Sequence, residues 1–198
     1  MMSRTKLAAL ALLTLVAGPV PLAQAEVSAQ SEAGFVIKLA AEIPASKTEV
    51  WQALINPNKW WSAEHTYSGN AANLYLDAQA TGCFCEKLPK PAGAPEGQRM
   101  GSAEHMHVVY ADPQAGVLRM VGGLGPLQGE ATHGTLTITL KPTDAGTRIE
   151  WVYVVGGYMR LEPEEMAPLV DKVLGEQLGR LAAFLSPNAG DTVETIAS

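Results

Sequence analysis

Apolar and polar positions alternate with period two through most of the chain, and give way to a helical period early on and again near the end. Phe35, Ile37, Leu39, Ala41 and Ile43 share one parity while Lys38 and Glu42 hold the other, which predicts a half-buried strand closed by Pro44. Ser46 and Glu49 have capping-box spacing, so a helix follows with Val50, Trp51, Leu54 and Ile55 at helical steps, stopped by Asn56-Pro57. Residues 58–62, holding Trp60 and Trp61, are expected as a second short helix. Further strands are expected at 74–77, 83–88, 100–110, 117–122, 132–141 and 148–155, separated by Pro- and Gly-bearing turns. Met166, Leu169, Val170, Val173, Leu174, Leu178, Leu181 and Leu185 recur at three- and four-residue steps. That pattern predicts a long terminal helix, with its regular part starting near Pro168. Gly175 and Gly179 fall on one side of it, either as a close-approach face or as two tolerated glycines.

The first 25 residues stand apart. Arg4 and Lys6 precede a short apolar run, Gly18, Pro19 and Pro21 break it, and Ala23-Gln24-Ala25 forms an A-x-A pattern. This predicts a signal peptide cleaved near Ala25-Glu26 and a periplasmic or secreted protein. The apolar run is about half a bilayer span, and no Cys follows the cleavage point to accept a lipid, so no stable membrane anchor is expected. Residues 26–33 are small and polar and read as a linker, 34–186 as one domain, and 187–198 as a disordered tail. Of 198 residues, 14 are Lys or Arg and 20 are Asp or Glu; losing Arg4 and Lys6 leaves 12 against 20, a net charge of −8. That balance disfavours nucleic acid as a partner. Two cysteines are too few for a disulfide scaffold.

The order of elements is strand, two short helices, six strands and a long helix. Together with residues 46–55 (Ser-Lys-Thr-Glu-Val-Trp-Gln-Ala-Leu-Ile), Asn56-Pro57, Trp60-Trp61, residues 82–86 (Gly-Cys-Phe-Cys-Glu) and Val170, Asp171 and Leu178 of the final helix, it resembles the START-like, Bet v 1-like superfamily. The polyketide cyclase/dehydrase and Hsp90-activator-like branches are the ones meant, and the likeness spans about residues 34–186. The resemblance implies an α+β helix-grip fold, a seven-stranded antiparallel curved sheet wrapped around the C-terminal helix. It also implies an apolar cavity between them that holds a small hydrophobic molecule. An Hsp90-activator role conflicts with the leader, since that partner is cytosolic in the family.

Parity places candidate chemistry on the strands. Phe84, Met106, Val108 and Tyr110 share the parity opposite Cys83, Cys85, His105 and His107, and this larger apolar set is expected to face the cavity. Met120, Trp151 and Tyr153 join it from neighbouring strands, and Trp61 and Tyr158 from element ends. The same parity puts Glu86 and Glu104 inside, where burial raises a carboxyl pKa and suits it to acid–base work; the alternative is two solvated rim carboxylates. His65 lies in the loop after the tryptophan pair, as a proton shuttle or a solvated loop histidine. Cys83, Cys85, His105 and His107 converge on a metal only if the strands pair with Cys83 opposite His105, and nothing in the sequence fixes that register. A Cys83–Cys85 disulfide needs a bulge, because same-face neighbours in an extended strand stand at or beyond bridging distance. Two inert thiols are the favoured reading. The expected function is an exported binder of a small hydrophobic or amphipathic molecule, without a cofactor. The alternatives are a cyclase/dehydratase-type enzyme using Glu86 or Glu104 with His65 or Tyr110, and a metal or thiol-redox module on the Cys/His set.

Overall fold

The alternating segments pair into one eight-stranded antiparallel sheet, and the terminal helix packs against it. A computed structural model describes residues 24–186. The expected leader, apart from Gln24 and Ala25, and the expected tail at 187–198 lie outside the described residues. The strands are β1 (Gln24–Ser31), β2 (Gly34–Ile43), β3 (Leu74–Leu76), β4 (Cys83–Leu88), β5 (Gly101–Asp112), β6 (Val117–Val121), β7 (Ala131–Thr143) and β8 (Gly146–Tyr158). They lie in the order β1-β2-β8-β7-β6-β5-β4-β3. The curved sheet therefore has one strand more than the seven expected. The extra one is β1, formed by Gln24 and Ala25 of the expected leader with residues 26–31 of the expected linker, which pairs with β2 from Ser31↔Gly34 to Gln24↔Ala40. Its small polar side chains gave no alternation, yet an edge strand needs only a partner's free ladder groups, and Val27 packs on the core. The hairpin depends on Gly34, which has φ +144° and where a Cβ would run into the Val155 carbonyl.

The expected inward parities hold on the central strands. Phe35, Ile37, Leu39, Ala41 and Ile43 of β2, Leu136, Ile138 and Leu140 of β7, and Ile149, Trp151, Tyr153 and Val155 of β8 are all buried in one core. Helix α1 (Lys47–Leu54) starts on the expected capping box: the Glu49 amide donates to Ser46 Oγ at 3.3 Å, and the Ser46 amide to the Glu49 carboxylate at 2.8 Å. The second short helix does not form. Residues 57–59 and 63–65 make separate 3₁₀ turns, because a five-residue segment opened by Pro57 cannot repay helix nucleation. Trp60 is pinned instead by its indole N–H donating to the Ala53 carbonyl at 2.8 Å.

Helix α2 (Pro163–Phe184) begins five residues earlier than expected. Pro163 takes a first-turn position, where its missing N–H costs nothing, and Met166 and Ala167 bury the opening turns. Pro168 frees the Glu164 carbonyl, but both residues lie on the exposed face, where a freed carbonyl is open to solvent rather than orphaned in the core. A Cβ at Gly179 would meet nothing within 4 Å, so that glycine marks no close approach. Among the described residues, no helix is long and apolar enough to cross a membrane.

Candidate functional site

Two irregularities in β5 decide what faces inward. Against β4, Phe84 pairs with Met106 and Cys85 with Glu104, which leaves His105 as an extra residue; against β6, Val108 pairs with Met120 and Tyr110 with Arg119, which leaves Val109 extra. Each inserted residue turns the following side chains over. His105 is thereby carried inside with Met106, both nearly inaccessible, while Glu104 and His107 meet on the outer face at 3.2 Å with their side chains about half exposed. Past the second bulge, Val109 and Tyr110 are exposed. The expectation that Glu104 and Tyr110 face the cavity is corrected by these two bulges.

Glu86 does lie inside, and its side chain is fully buried. The Ser68 amide donates to Oε1 at 2.6 Å, and the Tyr67 amide and His105 Nε2 donate to Oε2, each at 3.0 Å. Burial works against the charge, but the donors from Ser68, Tyr67 and His105 outweigh it and hold the carboxyl below its usual range. An ionised carboxylate only accepts, so Nε2 carries the imidazole hydrogen and Nδ1 keeps its lone pair. Burial also lowers the His105 pKa, with Glu86 opposing, so the ring is neutral near pH 7. The ring is clamped: Tyr67 stacks on it at 5.4 Å between centroids and 5° between planes, and Phe84 lies 5.0 Å away.

The segment after the tryptophan pair is tied to α2. The Ser62 amide donates to Gln177 Oε1 at 2.8 Å, Arg180 Nε donates to the Trp60 carbonyl at 2.8 Å, and His65 Nε2 meets the Glu176 carboxylate at 3.0 Å. Facing it across the helix is the turn after β6, held by Tyr153. The Tyr153 hydroxyl donates to the Gly122 carbonyl at 2.9 Å and accepts from the Leu124 amide at 3.1 Å; burial pushes its pKa up to about 12. Between these two loops and the first half of α2 lies a cavity of about 360 Å³. Its walls are Trp61, Leu124, Pro126, Met166, Leu169, Val170, Val173 and Leu174; His105, His65, Tyr67 and Glu64 supply most of its polar edge, and no Lys or Arg lines it.

The open space is therefore at the end of the helix–sheet interface rather than along it. Deeper in, Phe84, Met106, Met120 and Trp151 border a void of only about 30 Å³. Of the expected lining set, Trp61 faces the cavity; Phe84, Met106, Val108, Met120, Trp151 and Tyr153 are packed core, and Tyr158 is 73% exposed at the end of β8. Of the expected acid–base set, Glu86 and His65 are at the site, Glu86 behind His105 and His65 on the wall. Cys83 and Cys85 are joined in a disulfide with Cα atoms 5.4 Å apart, which corrects the inert-thiol reading. The bulge that accompanies it sits on the opposite strand, at His105. The metal arrangement does not form: the sulfurs are bonded to each other, His105 faces in and His107 out, and no group of three possible ligands gathers among the described residues. The thiol-redox alternative keeps its two sulfurs, as a closed pair.

Sequence reasoning missed the α2 wall and the turn at Leu124–Pro126. Part of the signal was present, since Leu169 and Val173 widen the apolar stripe of α2 beyond what one packed face needs, and Leu169 is 57% exposed. No protein-family model matches the chain, and no curated protein matches it in sequence. Solved structures do resemble it. CalU16 from Micromonospora echinospora aligns with a TM-score of 0.53 at 17% identity, over 85% of this chain and 89% of its own. A protein from Rhodobacter sphaeroides gives 0.51 at 16%, covering 82% and 97%. One from Rhizobium leguminosarum gives 0.51 at 17%, covering 83% and 98%. At such identities these likenesses establish a shared α+β fold with a curved antiparallel sheet and a C-terminal helix.

Proposed function

We propose that the protein is an exported binder of one small hydrophobic or amphipathic molecule, built on the START-like, Bet v 1-like helix-grip plan. The carrying observation is the cavity of about 360 Å³ between α2 and the two loops. Its size lies within the range of small-molecule sites, and its walls are mainly aliphatic and aromatic with a few polar groups at one edge. Export rests on the leader pattern of residues 1–25. A second reading, acid–base catalysis of the cyclase or dehydratase kind, draws on the Glu86–His105 pair, with His105 rather than Glu86 as the group that meets a substrate.

A neutral fluorescent probe, N-phenyl-1-naphthylamine, tests the binding reading. Its emission is expected to rise saturably with the protein, and Val173→Trp, which fills the cavity from a half-buried position on its wall, is expected to abolish the rise while the protein stays folded by circular dichroism. Absence of uptake by the parent protein, together with no thermal shift across a panel of neutral apolar compounds, refutes the proposal.

A further inference from the structure

The polar edge of the cavity is chemically one-sided. His105 lines it, clamped between Tyr67 and Phe84, with Nε2 committed to Glu86 at 3.0 Å. Glu86 takes two backbone amides as well, so its lone pairs are turned to the loop and the imidazole rather than to the cavity. Among the described residues no group donates to His105 Nδ1. A nitrogen lone pair on a rigid ring is thus left beside an apolar space. An apolar ligand that covers this acceptor without offering a donor costs free energy comparable to a lost hydrogen bond, and a ligand that brings the donor avoids that cost. The other groups on this edge narrow the choice further. Glu64 is acidic, His65 is engaged with Glu176, and no Lys or Arg lines the wall, so nothing balances the charge of a carboxylate or phosphate head.

We infer that His105, oriented by Glu86, is the specificity contact of this cavity, and that its ligand is an uncharged apolar molecule bearing a hydroxyl group, phenol-like or alcoholic, which donates to Nδ1. This rests on the binding reading above and names the class of molecule that the site selects. Anionic amphiphiles such as fatty acids are excluded from the class by the same chemistry. A site that hydrogen-bonds a ligand hydroxyl discriminates strongly against the analogue without it, because the partner group is then left unpaired.

Equilibrium dialysis of the parent protein with 1-naphthol, naphthalene and 1-naphthoate separates the possibilities, since the three share one ring system. Naphthol is expected to bind at least about tenfold more tightly than naphthalene, although naphthalene is the more hydrophobic, and naphthoate is expected to bind more weakly than naphthol. His105→Phe is expected to bring naphthol down to the level of naphthalene. A measurement without substitution accompanies it: the imidazole ¹⁵Nδ1 resonance of His105 shifts on adding naphthol and stays in place on adding naphthalene. Equal binding of naphthol and naphthalene, or a preference that survives His105→Phe, overturns the inference and leaves the binding reading standing. An unmoved Nδ1 resonance with naphthol bound overturns it as well. Failure of all three probes to bind overturns both.

Discussion

Replacing Glu86 with Gln tests the logic of the site with almost no change in shape. The carboxylate accepts three hydrogen bonds, at 2.6 Å from the Ser68 amide and at 3.0 Å from the Tyr67 amide and His105 Nε2. A carboxamide has one oxygen and one NH₂, so the three donors cannot all be met. An amide oxygen in the Oε2 position keeps the Tyr67 and His105 bonds and turns the NH₂ toward the Ser68 amide; one in the Oε1 position keeps the Ser68 bond, and the imidazole then moves its hydrogen to Nδ1 to accept from the NH₂. One backbone N–H is then left facing a donor, at a cost of about 1–3 kcal/mol, and the surviving bond from the other amide loses charge assistance worth about 1 kcal/mol. Two effects offset this. A buried carboxylate no longer has to be desolvated. Tyr67 is half exposed, so water reaches a released amide. The net expectation is about 1.5–3 kcal/mol, or a Tm lower by about 4–10 °C for a domain of this size. Urea and thermal unfolding measure the loss, and hydrogen exchange locates it: the Tyr67 and Ser68 amides should exchange faster while the β7–β8 ladder keeps its relative protection. A Tm loss under about 2 °C with unchanged exchange at both amides refutes the reasoning, because Glu86 would then not hold the loop.

The same carboxylate fixes an acid dependence. Its folded pKa lies below the unfolded value of about 4.3, so its contribution is complete above that value and is lost as pH falls through the folded pKa; the gap in urea midpoint between parent and Glu86→Gln should be full at pH 7 and should narrow below pH 4. Reducing the Cys83–Cys85 disulfide should cost little in global stability, about 1.5 kcal/mol on the chain-entropy account, since it closes so short a loop. Its effect should be local: the Cα atoms, held at 5.4 Å, relax toward extended spacing, and the amide signals of His105 and Met106 across the bulge should shift while those of Val173 stay fixed. Unmoved signals at His105 on reduction would show that the bulge is independent of the bond.

The central strands and both main helices were legible because burial there follows simple periods. Each of β2, β7 and β8 puts every second residue into the core without interruption, and the capping box placed the start of α1. Strand β1 was illegible because an edge strand whose bonds are supplied by its partner needs no apolar pattern of its own. The start of α2 was misplaced because proline was read as a boundary. Pro168 sits on the exposed face of a helix whose other side already buries Met166 and Ala167, so tertiary packing overrides the lost bond.

The site itself turned on the one property that period-two reading cannot supply, which is a count of residues against a partner strand. Glu86 and Glu104 have the same parity and were expected together, yet one is fully buried and the other half exposed, because the extra residue His105 shifts the ladder by one and pairs Glu104 with Cys85 and Ala103 with Glu86. Neither His105 nor Val109 is a glycine, so neither bulge leaves a mark in composition. The insertion is also what makes the site. Regular pairing would turn His105 outward with His107 and set Glu104 beside Glu86, two carboxylates in one apolar hollow with no counter-charge, and one of them would have to stay protonated. The bulge replaces that repulsion with a donor for Glu86 and gives the cavity its imidazole. The irregularity that defeated the parity argument is thus the feature that lets a buried carboxylate remain charged here, and it ties the loop, the pocket edge and the sheet to a single residue of extra length.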